Sequence, residues 1–154
     1  VDILNAYFDA ATEIIGRHNG VVTQFQGDAI LAIFNVPIED EDHAQSAFNA
    51  ATDLLAAVRQ GSFAGERLEI RIGLNSGPLI AGNVGGGGRQ SYTVHGDTVN
   101  LAARLEALNK EHGTSLLVSR STAALLTSAD LKKIGETEIR GLSEPIGIFS
   151  PTGH

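Results

Sequence analysis

The sequence predicts one α+β domain, a mainly antiparallel sheet with helices packed on one of its faces. Three observations carry that prediction. Apolar residues alternate between helical spacing and period-two spacing in the order helix, hairpin, helix, hairpin, helix, strand, helix, strands. Glycine-containing turns separate the paired extended runs, and no repeat of 20–50 residues is present. The 154 residues, 42% hydrophobic and 19% charged, are enough for one sizeable core.

Each element has its own signal. Residues 2–17 place Ile3, Leu4, Tyr7, Phe8, Ala11, Ile14 and Ile15 at helical spacing, with Gly20 as the stop. Two short strands follow over 21–25 and 29–34, joined by the turn Gln26-Gly27-Asp28. Pro37 and the acidic run 39–42 read as a solvated loop. A helix over about 43–59 carries Ala44, Ala47, Phe48, Ala51, Leu55 and Val58 on one side, and the stretch 61–65 breaks it. Over 68–75, Leu68, Ile70, Ile72 and Leu74 face one way; Gly77-Pro78 turns the chain, and 79–84 is expected to pair back. Four glycines at 85–88 form a tip, read as a plain hairpin loop with a mobile active-site arm as the alternative. Residues 92–94 are extended, and a helix runs from about 97 to 111, ending before Gly113. A buried strand at 116–118 follows, then a small helix capped by Ser119 and reaching about 126, then mostly extended chain over 131–150.

Composition narrows the function. A formal net charge of −7 disfavours nucleic acid and acidic lipid as general partners, while leaving room for one nucleotide bound by a local field. The absence of cysteine excludes a disulfide framework and thiolate chemistry. No apolar run reaches membrane-spanning length and no signal peptide is visible, so no membrane contact is expected from this domain and a cytoplasmic location is. The chain contains no methionine and opens on Val1-Asp2-Ile3; it is expected to belong to something longer, with any anchor or sensor region upstream.

Two motifs carry chemistry. In Ser91-Tyr-Thr-Val-His-Gly-Asp-Thr-Val-Asn-Leu-Ala-Ala-Arg-Leu-Glu106 a β-branched stretch meets a Gly-Asp turn and becomes an amphipathic helix. Asn100 and Arg104, four apart, share one face, and Leu101, Leu105 and Leu108 lie on another that can anchor the helix. An amide and a guanidinium aimed together suit a phosphate-bearing group. A surface helix with Arg104 paired to Glu106 or a neighbour is the plainer reading. The second motif is Phe25-Gln-Gly-Asp-Ala-Ile-Leu-Ala-Ile-Phe34, with Asp28 at the tip of a hairpin. A carboxylate there is free to bind a hard cation, although Gly-Asp is also simply good turn chemistry.

In these motifs the chain resembles the class III nucleotide cyclases, the adenylate/guanylate cyclase catalytic domains. Asn5-Ala-Tyr-Phe8 with Arg17-His-Asn-Gly20 resembles the helix before the family's metal hairpin. Arg71-Ile-Gly-Leu-Asn-Ser-Gly-Pro-Leu-Ile-Ala-Gly-Asn-Val84 resembles its central hairpin, and His112-Gly-Thr-Ser-Leu-Leu-Val-Ser119 the stretch after the signature helix. The resemblance covers nearly the whole chain and implies a ferredoxin-like core. It reads residues 1–154 as one catalytic domain without its first strand.

The resemblance also assigns roles. Asp28 matches a metal-binding Asp, one of two that hold two Mg²⁺ or Mn²⁺ ions. The other lies on a first strand roughly forty residues earlier, which this chain starts too late to include. Asn100 matches the residue that orients the ribose, and Arg104 the one that stabilises the triphosphate as the 3′-oxygen attacks the α-phosphorus. Arg140, in Ile139-Arg-Gly-Leu-Ser-Glu-Pro145, falls where the family has a triphosphate-binding Lys; a solvated surface arginine is the other reading.

The purine positions depart from the pattern. Adenylate cyclases usually have Lys where this chain has Gln24, partnered by Asp, or by Thr in one subgroup, where it has Thr93. Guanylate cyclases typically have Glu and Cys in these places. A Gln amide and a Thr hydroxyl each donate and accept, so discrimination is expected to be weaker than a Lys–Asp pair gives. The Thr favours ATP, with GTP side activity expected. The resemblance further implies a head-to-tail homodimer with sites in the shared groove. One chain supplies metal ligands; the other supplies purine, Asn and Arg contacts. The reading is an adenylate cyclase making cyclic AMP and pyrophosphate. The alternatives are a guanylate or mixed-purine cyclase, and a catalytically degenerate nucleotide-binding or dimerisation module.

Overall fold

In a computed structural model the chain is described over residues 2–61, 68–84, 91–139 and 141–152, with backbone only at 2, 83–84 and 91–95. Its elements run α1 (Asp2–Arg17), β1 (Gly20–Gln26), β2 (Ala29–Phe34), α2 (His43–Gln60), β3 (Ile72–Leu74), β4 (Ile80–Val84), β5 (Ser91–His95), α3 (Asp97–His112), β6 (Leu116–Ser119), α4 (Arg120–Ala123), β7 (Leu131–Thr137) and β8 (Ile146–Pro151). This is the expected α+β order. The chain divides into two compact units, one of residues 1–70 and 80–94, the other of 71–79 and 95–154.

The first unit holds the antiparallel β1–β2 hairpin under two helices. Tyr7, Ala11, Ile14 and Ile15 of α1 are buried, as are Phe48, Ala51, Leu54, Leu55 and Val58 of α2 and Ile33 of β2. These are the apolar stripes that the spacing selects. His18, just past α1, bonds Asp53 of α2 through Nε2 at 2.7 Å.

The stop after α1 differs from expectation. Asn19, at φ 70°, takes the left-handed turn, and Gly20 already begins β1. Glycine is needed at 20 for space: a Cβ there would lie 2.6 Å from Ile15 Cγ2 and from the Phe34 ring. Asparagine tolerates positive φ well enough to make the turn.

The acidic run is also more than a solvated loop. Asp40 accepts hydrogen bonds from the Ser46 hydroxyl at 2.6 Å and the Asp42 N–H at 2.9 Å, while its own N–H donates to Asn35 Oδ1 at 2.7 Å. Asp42, at the N-cap position of α2, makes no side-chain cap bond, so Asp40 organises that end of the helix. The Ser46 hydroxyl foremost, then the Asp42 N–H and Asn19, hold the Asp40 carboxyl below the usual aspartate range. A depressed folded-state pKa contributes stability above the unfolded value, about 3.9, and that stability is lost as pH falls through the folded value. Asp40→Asn is therefore expected to lower the melting temperature at pH 6. The gap to wild type should close below about pH 4, a trend that melting curves across that range would check.

In the second unit a four-stranded sheet has the order β3-β6-β8-β7. β3 and β6 are parallel; β6–β8 and β8–β7 are antiparallel. The buried strand β6, together with Ile148 of β8, meets Leu101 and Leu105 of α3, and Ile134 and Ile146 pack at the edge of that cluster.

Two pairings differ from the sequence reading. Residues 68–72 alternate in burial as expected, but only 72–74 form a ladder, and their partner is β6. Among the described residues the ladder partner of β4 is β5. A Gly-Pro turn fixes a change of direction and leaves the choice of partner to the rest of the fold. α4 is likewise shorter than expected, ending at Ala123, although Ser119 does cap it by accepting from the Thr122 N–H at 3.3 Å. The tip at 85–88 lies outside the described residues.

α3 lies directly on the backbone of β3. A Cβ added at Gly73 would sit 2.4 Å from the Ala102 carbonyl oxygen and 2.5 Å from the Glu106 nitrogen. Neither is the movable end of a side chain, so Gly73→Ala must push the helix off the strand. Overpacking of this kind is expected to cost about 3 kcal/mol, read as a lowered urea midpoint with an unchanged slope.

Candidate active site

Two of the predicted residues lie on the β1–β2 hairpin. Gln26 pairs with Ala29, so Gly27 and Asp28 form a two-residue loop. Gly27 takes φ 59°, which a hairpin turn of the II′ type wants at its first central position, and which glycine adopts freely. Asp28 is thereby held at the tip, exposed.

Gln24 is placed by a β-bulge. Val22 pairs with Ala32 and Gln24 with Leu31, leaving Thr23 as the extra residue, its hydroxyl bonded to the Leu31 carbonyl at 3.0 Å. Partners across an antiparallel pair share a face. Gln24 thus stands on the face of Leu31 and Ile33, while the next residue, Phe25, sits on the other face with its ring 4.7 Å from that of Phe8 in α1. Without the bulge Gln24 would oppose Ile30, on the side that α1 covers.

Two others lie on α3. Asn100 and Arg104 are exposed on one face, and Leu101 and Leu105 are buried on another, as the spacing predicts. Among the described residues no carboxylate pairs with Arg104. Glu106 instead lies 3.9 Å from Arg71, an exposed and distant pair of little energetic weight. The plainer reading of Arg104 as half of a surface ion pair therefore finds no partner among those residues.

The helix is pinned near its far end by Asn109, which is fully buried. Its Nδ2 donates to the carbonyls of Ile72 at 2.9 Å and of Leu105 and Glu106 at 3.2 Å, and its Oδ1 accepts from Thr114 at 2.7 Å. Gly113, at φ 64°, closes the helix.

The other predicted residues are placed as follows. Thr93 lies in β5, described by its backbone alone. Arg140 lies outside the described residues. The structure thus places Gln24 and Asp28 on one hairpin, and Asn100 and Arg104 on one helix face. No group of three or more His, Asp or Glu side chains that could hold a metal occurs among the described residues. Asp28 is an exposed hard-oxygen donor, suited to be one ligand of Mg²⁺ or Mn²⁺ but not a complete set.

Three contributors were not legible as such in the sequence. Tyr7 reads there as one more apolar helix position. Its phenol is pushed up to about 12, by burial first and by the Asp28 carboxylate second, so it stays neutral beside the hairpin. Asn109 looks like a polar residue in a helix's last turns. Thr98 looks like a β-branched residue in a helix's first turn, and its bonds to the 75–78 segment are non-local.

Residues 1–149 match the adenylate and guanylate cyclase catalytic domain, and the chain belongs to that family. It is 35% identical to adenylate cyclase 1 of Rhizobium meliloti (strain 1021), over 99% of this chain and 24% of that protein. It is 40% identical to an uncharacterised protein of Mycobacterium tuberculosis (strain CDC 1551 / Oshkosh), over 98% of this chain and 27% of that one. The chain spans about a quarter of the length of these curated relatives.

Among solved structures it is similar to the guanylate cyclase domain of RhGC from Catenaria anguillulae in complex with GTP. The TM-score is 0.80 at 30% identity, covering 96% of this chain and 80% of that one. It is also similar to the adenylyl cyclase CyaB from P. aeruginosa, with a TM-score of 0.76 at 26% identity, covering 99% and 82%. The chain is thus a class III cyclase catalytic domain. No described helix is long and apolar enough to cross a membrane.

Proposed function

We propose that this domain is an adenylate cyclase that converts ATP to 3′,5′-cyclic AMP and pyrophosphate. The observation that carries the reading is the exposed Asn100–Arg104 pair on a helix whose other face is fully anchored. The 3′-oxygen of the ribose forms a bond to the α-phosphorus, the bond from that phosphorus to the bridging oxygen of pyrophosphate breaks, and the 3′-hydroxyl proton is lost. Asn100 orients the ribose so that attack is in line, and Arg104 offsets the charge that grows on the α-phosphate oxygens. Arg140 binds the triphosphate tail. Asp28 supplies one carboxylate ligand, completed by the Asp expected on the upstream strand. Bound Mg²⁺ or Mn²⁺ would lower the pKa of the 3′-hydroxyl and neutralise the leaving pyrophosphate.

Gln24 and Thr93 contact the purine. Thr in the second position supports ATP, as does the likeness to a protein named an adenylate cyclase. The competing preference for GTP is favoured by one observation, the similarity to a guanylate cyclase domain in complex with GTP. A rhodopsin-guanylyl cyclase core with converted specificity, in complex with ATPαS, is equally similar, with a TM-score of 0.81. We assign ATP as the preferred substrate, with GTP turned over more slowly.

The active species is a head-to-tail homodimer in which Asp28 of one chain works with Gln24, Thr93, Asn100 and Arg104 of the other. Residues 1–154 form the catalytic domain without its first strand, joined to an upstream sensor or regulatory region and facing the cytoplasm. The test is cyclic nucleotide production by the full-length protein with Mn²⁺ and either ATP or GTP. Cyclic AMP as the main product supports the reading. A larger rate from GTP replaces it with a guanylate cyclase, and no product from either leaves a nucleotide-binding or dimerisation module.

A further inference from the structure

α3 begins without a side-chain cap: Gly96 occupies the N-cap position, at φ 125°, and no side chain bonds the first-turn amides. The first turn is held from outside instead. The Thr98 carbonyl accepts from Asn75 Nδ2 at 3.0 Å, and the Thr98 hydroxyl donates to the Pro78 carbonyl. Both bonds run to the segment just after β3. That segment is tied in turn to α4. The Ser121 hydroxyl bonds Asn75 Oδ1 at 3.1 Å and the Ser76 carbonyl at 2.9 Å, and the Ser76 and Thr122 hydroxyls lie 2.7 Å apart. Glycine at 77 leaves the room this needs, since a Cβ there would lie 2.8 Å from the Thr98 hydroxyl.

We infer that Asn75 and Thr98 are positioning residues, a clasp that sets the first turn of α3 and thereby the direction in which Asn100 points. The inference rests on the proposed role of Asn100 in catalysis. Asn100 lies two residues beyond Thr98, and its own N–H makes an early bond of the helix, to the Gly96 carbonyl at 3.1 Å. Asn109 fastens the far end of α3 to the Ile72 carbonyl. The helix is therefore secured at two points, one on each side of the Asn100–Arg104 pair. Loss of the near point frees the first turn to shift while the buried leucines stay packed. A shift of about 1 Å in a group that orients substrate costs on the order of a hundredfold in rate.

The test compares Asn75→Ala, Thr98→Val, Thr98→Ser and Gly77→Ala in the full-length protein. Leu54→Val, in the core of the other compact unit, serves as a control for lost stability. Rates are read with Mn²⁺ and ATP, and hydrogen exchange is read at the Asn100 amide. Asn75→Ala, Thr98→Val and Gly77→Ala are expected to lower kcat about ten- to a hundredfold with KM for ATP little changed, and to speed exchange at Asn100. Thr98→Ser keeps the hydroxyl and should retain most of the activity. The inference is overturned if kcat falls no further than in Leu54→Val, if Ser fails to rescue where Val fails, or if exchange at Asn100 does not change. Inactive wild-type protein would overturn the cyclase reading instead, and the exchange measurement would then decide the clasp by itself.

Discussion

Asp28→Ala is expected to abolish cyclic nucleotide production, by about a thousandfold or more, while leaving the fold intact. The side chain is exposed at the hairpin tip, so its loss should change stability by no more than about 0.5 kcal/mol. The turn survives because Gly27, and not Asp28, adopts the positive φ. What is lost is a ligand, and a metal site short of one carboxylate forfeits the several kcal/mol of transition-state stabilisation that such ions supply. The measurement pairs a rate with Mn²⁺ and ATP with a Mn²⁺ titration of the same protein. Loss of both, with an unshifted melting curve, supports the assignment. Full activity in Asp28→Ala would return the Gly-Asp pair to plain turn chemistry.

Arg104→Ala is expected to lower kcat by about a hundred- to a thousandfold, the usual cost of removing one preorganised charge from a phosphoryl or acyl transfer site. Lys is expected to rescue only part of this, since it keeps the charge but loses the planar fork. Leu101 and Leu105 hold the helix independently of Arg104, so the variant should melt like wild type. The sharper experiment mixes the two inactive proteins. If Asp28 and Arg104 of one chain serve different sites, a heterodimer of Asp28→Ala and Arg104→Ala chains has one site with both defects and one with neither. Random exchange between equal amounts then recovers about a quarter of wild-type activity. No recovery, with exchange shown by a labelled chain, would place both residues in the same site.

Much of this was legible in the sequence because it is written in local periodicity. The bounds of α1, α2 and α3 lie within a residue of those read from apolar spacing and glycine, and the separate exposed and buried faces of α3 follow from residues four apart. The β1–β2 hairpin was legible for the same reason. What the sequence did not show is decided by contacts that periodicity does not report, some of them between residues far apart along the chain. Ile72–Leu74 pairs with Leu116–Val118 across more than forty residues, and no turn signal at Gly77-Pro78 reports that choice. The bulge at Thr23 appears only in the pairing itself, where Val22 faces Ala32 and Gln24 faces Leu31. Gly20 looks like a helix stop, yet its smallness serves a contact with Phe34, while Asn19 does the turning. Asp40 sits in an acidic run that composition marks as solvent-facing, and only the arrival of Ser46 and Asn35 makes it structural.

The contact at Gly73 has a mechanical consequence. Most helices rest on sheets through a layer of interdigitated side chains, which can change rotamer and absorb a displacement. Between β3 and α3 at this point there is no such cushion, because backbone meets backbone. A displacement of β3 at Gly73 therefore meets the backbone of α3 directly, whereas β6 reaches the same helix through the side chains of Leu101, Leu105 and Leu117.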